Sequence, residues 1–211
     1  MFIDMTALAN RRSVMTLYAD AADPLGHSVR LVLMEKDINV EIHFIDEDSK
    51  PEDLNDLNPY HNLLTLIDRD LVLYDAQIML EYLDERYPHP PLMPVDPVSR
   101  ANNRQLRYRI VRDLYSLASD LEGDNEIAAA NARKTMRDNL MAISPLFGQF
   151  PYFMSPEFSL VDLCMAPLLW RLPRYGVKLT PQAKPLLKYA DKLFDRRAFQ
   201  ISLSPVEQEI R

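Results

Sequence analysis

The sequence predicts an α/β half followed by an all-α half, joined by a stiff proline-rich connector. Residues 87–97 read YPHPPLMPVDP, with five prolines in eleven positions. Each proline fixes φ, removes a backbone donor and biases its predecessor away from helix. Before this run the apolar residues switch between a period of two and a period near 3.6; after it they keep the helical period. The run is therefore neither helix interior nor central strand, and is expected to be an extended, polyproline-II-like hinge. The predicted divisions are a first domain over 12–87, a linker over 88–95 and a second domain over 96–205.

In the first half, Ser13 to Tyr18 has a short strand pattern, and Asp20 to Asp23 reads as a turn. From Pro24 the pattern is helical, with Leu25, Val29, Leu31, Val32 and Met34 apolar and Glu35-Lys36 at the end. Val40 to Ile45 alternates as a half-buried strand. The acidic stretch from Asp46 to Leu57 leaves room for one short helix. Leu64 to Ile67 and Leu71 to Leu73 form a strand pair turned at Asp68-Arg69-Asp70. Asp75 is placed to cap a third helix, with Ile78, Met79, Tyr82, Leu83 and Tyr87 as its expected buried face. The order βαβ, short helix, ββα is thioredoxin-like.

In the second half, Asp96-Pro97 combines an N-cap residue with proline at the first helical position. Helices are predicted over roughly 96–121, 126–147, 159–173 and 181–196. The sharpest local signal is FSLVDL, Phe158 to Leu163. There Ser159 and Asp162 form a capping box, and Phe158 is placed to staple against Leu163. The helix body from Leu163 to Trp170 is almost wholly apolar, and Pro167 should bend it.

Composition excludes several function classes. No apolar run is long enough to span a bilayer, and residues 1–10 resemble a loosely ordered extension rather than a signal peptide. The single cysteine, Cys164, has no intramolecular partner, which fits a reducing cytoplasm. A net charge of −7 argues against nucleic-acid binding driven by phosphate neutralisation, and fits a basic protein partner better.

Together these features resemble the glutathione-transferase fold: a thioredoxin-like N-terminal domain, a linker, an all-helical C-terminal domain and a Ser-x-x-Asp box opening a core helix. Within that superfamily, YLDERYPHPPLMP over 82–94 is similar to the signature of the stringent starvation protein A family, whose members associate with bacterial RNA polymerase. Leu57-Asn58-Pro59 and FSLVDLCMAPLLWRL over 158–172 support the narrower match. The resemblance implies a non-enzymatic transcription regulator, acting in starvation or stress, that binds RNA polymerase holoenzyme including its primary sigma factor. It implies Pro88, His89, Pro90 and Pro91 as the contact surface, with Tyr87 and His89 adding side-chain specificity. It further implies a cytoplasmic homodimer without cofactor, metal, membrane or sequence-specific nucleic-acid contact.

A glutathione-dependent transferase of unusual type is the competing reading. Such an enzyme needs a hydroxyl or thiol after the first strand to handle the thiolate. It also needs a cis-proline before the third strand and an acid-serine pair opening the third helix. Here Asp20 to Gly26 contains no serine, cysteine or tyrosine; Leu64 stands where proline is expected; and Asp75-Ala76 keeps the acid but loses the hydroxyl. A cis bond at Leu64 would cost about 3 kcal/mol, so a trans peptide is expected. Tyr18 is the remaining candidate for an activating hydroxyl. A sensor that binds a small ligand in the vestigial cleft is a third possibility.

The other candidates carry bland expectations. His27, His43, His61 and His89 show no metal-ligand spacing, and His27 is expected at the surface or as a cap. Cys164 is expected to be an inert core residue. Arg100, Arg104 and Arg107 share one face of the fourth helix and are expected to be solvated rather than to bind a phosphate or an acidic partner.

Overall fold

The computed structural model describes residues 14–211. The extension at 1–10, the start of the first domain at Arg12 and the strand residue Ser13 lie outside the described residues. By its contacts the chain divides into two compact units: residues up to Pro90 with Ser202–Glu207, and Pro91–Ile201 with Gln208–Arg211.

The first unit follows the order expected of it: β1 (Met15–Ala19), α1 (Pro24–Glu35), β2 (Val40–Phe44), α2 (Glu52–Leu57), β3 (Thr65–Asp68), β4 (Leu71–Leu73) and α3 (Ala76–Arg86). The sheet order is β2-β1-β3-β4, with β1 parallel to β2 and antiparallel to β3, and β3 antiparallel to β4. Strand alternation sends Leu17 and Tyr18 to opposite faces. Tyr18 gathers with Ile45 and Leu54, and α1 packs against α3 through a core that includes Val29, Val32, Leu33, Met79, Leu80 and Leu83.

The buried face of α3 differs from expectation. Ile78 is 56% exposed and Tyr82 and Tyr87 are only half-buried, while Ala76 and Leu80 take up burial beside Met79 and Leu83. The cap explains the phase. The Asp75 carboxylate accepts from the Ile78 N–H at 3.0 Å, which fixes the first turn with Ile78 outward.

Ser202–Glu207 completes this unit by a buried polar cluster. Arg30 donates to Glu207 Oε1 at 2.7 Å, and the Ser204 N–H donates to Glu207 Oε2 at 2.8 Å. His27 Nε2 lies 2.9 Å from Ser202 Oγ, and Ser204 Oγ donates to the Ala21 carbonyl at 2.6 Å. His27 is therefore not a surface or cap residue; it is fully buried. Its burial is set by a segment 175 residues away in sequence, which local pattern does not reveal.

The second unit contains α4 (Pro97–Asp113), α5 (Ala118–Glu122), α6 (Glu126–Ile143), α7 (Leu160–Trp170) and α8 (Lys184–Phe194). Two short helices follow, α9 (Arg197–Ser202) and α10 (Pro205–Gln208), whose ends cross the division between the units. The long helix expected over 96–121 breaks after Asp113 into a 3₁₀ turn, Tyr115–Leu117. There Ser116 Oγ donates to the Arg112 carbonyl at 2.5 Å, a side-chain bond that competes with helix propagation. A second 3₁₀ segment, Ser144–Gly148, ends α6 where Pro145 supplies no donor.

All eleven residues of α7 are buried, and its capping box is complete. The Asp162 carboxylate accepts from the Ser159 N–H at 2.8 Å, the Phe153 N–H at 2.9 Å and the Tyr189 hydroxyl at 2.7 Å. Burial raises the Asp162 pKa, while these donors act to lower it. Phe158 packs edge-on against Tyr152 and beneath Arg196. Cys164 is fully buried, as expected of an inert core residue. Arg107 departs from the expected solvated face: it is 2% exposed and donates to Asn103 at 3.0 Å.

A pinned proline run and an acidic cleft

The end of α3 sets up the proline run. α3 stops at Arg86, and Tyr87 leaves the helical backbone at its C-cap, with φ −124° and ψ 84°. The carbonyls beyond it need donors that Pro88, Pro90 and Pro91 do not have. Lys36, the residue that caps α1, supplies them. Its Nζ donates to the Tyr87 carbonyl at 2.5 Å and the Pro90 carbonyl at 2.8 Å, and pairs with Asp84 Oδ1 at 2.8 Å. The three contacts match the three N–H donors of an ammonium. The Lys36 side chain is fully buried and that of Asp84 nearly so.

A second device orients Tyr87. Tyr82 donates to Asp68 Oδ2 at 2.5 Å, Arg86 Nε lies 3.9 Å from the same oxygen, and the Arg86 guanidinium sits over the Tyr87 ring at 5.4 Å. Desolvation, followed by the bond to Asp68, pushes the Tyr82 phenol up to about 12.

Above these anchors Pro88, His89, Pro90 and Pro91 are all exposed, and Tyr87 is half-buried. The His89–Pro90 bond is cis, so the run is not the uninterrupted polyproline II segment expected of it. In the second unit Leu92 and Met93 are buried, and the Leu92 carbonyl accepts from the Leu160 N–H at 2.9 Å. Sequence reasoning found the exposed residues and missed Lys36 and Asp84. The available signal was a run of carbonyls without local donors and a lysine at the end of a preceding helix.

The cleft of the first unit has a different character. A hollow of about 390 Å³ is lined by Asp20, Asp23, Glu47 and Asp75, with Leu64, Ala76 and four other residues, none of them basic. Asp23 caps α1, accepting from Leu25 and Gly26 N–H at 3.0 and 2.7 Å, and Asp75 caps α3. Among the described residues His89–Pro90 is the cis peptide, so the bond before Leu64 is trans. The approach to Leu64 is ordered instead by Asn58, which is buried and bonds to Asn62, to Thr65 Oγ1 and to the Tyr60 N–H. Tyr18 is 5% exposed and stacks on His43 at 5.1 Å; it is not among the residues lining the hollow.

The four histidines and Cys164 form no metal-holding group among the described residues, and no helix there is long and apolar enough to cross a membrane.

Comparison with known proteins bears on the family and the fold. The glutathione S-transferase N-terminal domain family matches residues 24–86. A stringent starvation protein A homolog of Coxiella burnetii is 48% identical over 95% of this chain and 97% of its own. The homolog of Pasteurella multocida is also 48% identical, covering 94% of each chain. The chain belongs to the stringent starvation protein A family. The fold of this family member is that of the glutathione transferases. Ure2p in complex with glutathione superposes with a TM-score of 0.83 at 14% identity, over 95% of this chain and 99% of that one. The exposed run Pro88 to Pro91 is held at Pro90 and flanked by two further held carbonyls, Tyr87 by Lys36 and Leu92 by Leu160.

Proposed function

We propose that this member of the stringent starvation protein A family is a non-enzymatic regulator that binds RNA polymerase holoenzyme, including its primary sigma factor, and modulates promoter-specific transcription during starvation or stress. The observation that carries the reading is the exposure of four consecutive residues, Pro88, His89, Pro90 and Pro91, on a backbone pinned from below by buried Lys36. A surface whose conformation is already fixed loses little entropy on docking. Prolines present apolar area without rotamers, His89 adds a polar tip, and Tyr87 borders them. Cytoplasmic location and a homodimer belong to the same proposal, the dimer doubling the surface offered to polymerase.

The acidic lining of the cleft weighs against a working glutathione transferase. Glutathione carries two carboxylates; beside Asp75, the acid a transferase would keep, Asp20, Asp23 and Glu47 would repel them, and no basic residue lines the hollow to hold them.

The test is a pull-down of polymerase subunits with tagged wild type and with the His89→Ala, Pro90→Ala double variant, matched for folding by circular dichroism. Loss of polymerase from the folded variant is expected. Unchanged recovery would remove these residues from the contact surface.

A further inference from the structure

A second surface, in the helical unit, has the opposite charge to the chain as a whole. Arg133, Lys134 and Arg137 on α6 and Lys178 beyond Tyr175 line a hollow of about 320 Å³, floored by Ala130 and Val177. Arg133 and Arg137 are one helical turn apart and so share a face. Gly176 closes the facing turn at φ +67°; a Cβ there would stand 3.4 Å from Arg133 Cδ. The arginine stem thus lies within van der Waals reach of the turn. The turn conformation itself favours glycine.

The pairing of these cations sets them apart. Arg137 meets Asp138 at 3.3 Å in an exposed contact. Among the described residues Arg133, Lys134 and Lys178 have no ion pair. The chain carries 31 carboxylate side chains against 24 lysines and arginines, so carboxylates were abundant as partners, yet this hollow gathers four cations around one space. Like charges held together repel unless an anion joins them. An arginine fork and flexible ammonium groups around a small polar hollow match the oxygens of phosphate.

We propose that Arg133, Lys134, Arg137 and Lys178 form a phosphate-binding site, for the phosphates of either a free di- or triphosphate compound or a nucleic-acid backbone. It is independent of the proline run. The net charge of −7 argued against nucleic-acid contact, but net charge does not describe a local patch.

Calorimetric titration of the full chain with inorganic pyrophosphate at low salt, in parallel with fluorescence anisotropy of a short labelled DNA duplex, tests it. The site variant is Arg133→Gln with Lys178→Gln. The control, Lys184→Gln with Lys188→Gln, removes the same charge from exposed positions on α8. Pyrophosphate affinity is expected to fall about tenfold or more in the site variant and to change less than about twofold in the control. Binding of pyrophosphate alone assigns a free phosphate compound, and duplex binding lost in the same variant assigns backbone phosphates. Should the double variant misfold, Lys178→Gln alone, at an exposed position, carries the test. Absence of binding by wild type in both arms, or equal losses in site and control variants, would overturn the proposal.

Discussion

Lys36 donates to the carbonyl of Pro90 at 2.8 Å, tying the last residue of α1's cap to the middle of the exposed proline run. The link explains how a segment poor in donors keeps one backbone path. Its carbonyls are served from a buried ammonium rather than by neighbouring N–H groups.

Lys36→Met should therefore do two separable things. It removes the buried partner of Asp84 and should cost about 3 kcal/mol of stability in urea unfolding. It should also reduce polymerase recovery although residues 87–91 are untouched. Lys36→Met with Asp84→Leu should regain much of the stability without regaining recovery. A single variant as stable as wild type would show that the pin contributes nothing.

Glu207 should matter to the first unit despite its position near the C-terminus. It is fully buried, and Arg30 meets it at 2.7 Å. Glu207→Ala should lower stability by about 3 kcal/mol. Hydrogen exchange should then rise at α1 amides before it rises in α7. Protection lost first in α7 would contradict the assignment of this segment to the first unit.

Tyr82 provides an alkaline signature. Its phenol is raised from 10.0 to about 12, so the folded state holds this proton more tightly than the unfolded chain. The stabilisation is complete below pH 10 and is lost as pH rises through about 12. Tyr82→Phe should flatten the fall in thermal midpoint over that window. An unchanged slope would mean that other groups set it.

Restoring the missing elements of the cleft should not restore glutathione binding. Leu64→Pro with Ala76→Ser returns the proline and the hydroxyl beside the retained acid Asp75, but Asp20, Asp23 and Glu47 still line the hollow with no basic residue among them. The variant and wild type alike should pass through glutathione-agarose. Retention of either protein would reopen the transferase reading.

Much of this organisation is readable from local pattern. The strand and helix order of the first half, the Asp96 and Asp75 caps and the Ser159–Asp162 box all depend on residues within four positions of one another, and each appears as expected. His27, Arg107 and Lys36 were misjudged or missed for a shared reason. Each is a polar residue whose burial is decided by a partner outside the local pattern or by tertiary packing. Ser202 meets His27, Tyr87 and Pro90 meet Lys36, and packing buries Arg107, which donates to Asn103 one turn away. Charge pattern alone assigns such residues to solvent. The 3₁₀ breaks at Tyr115 and Ser144 were hidden in the same way, because apolar period continues through them.

The return of Ser202–Glu207 to the first unit has a consequence for synthesis. A ribosome delivers β1 to α3 early, and an ordinary N-terminal domain would mature while the rest is still being made. Here the anion that meets Arg30 and the hydroxyl that meets His27 lie 177 and 175 residues further along the chain. The first half therefore leaves the ribosome without these two partners, and it gains them only after the whole helical unit has been made.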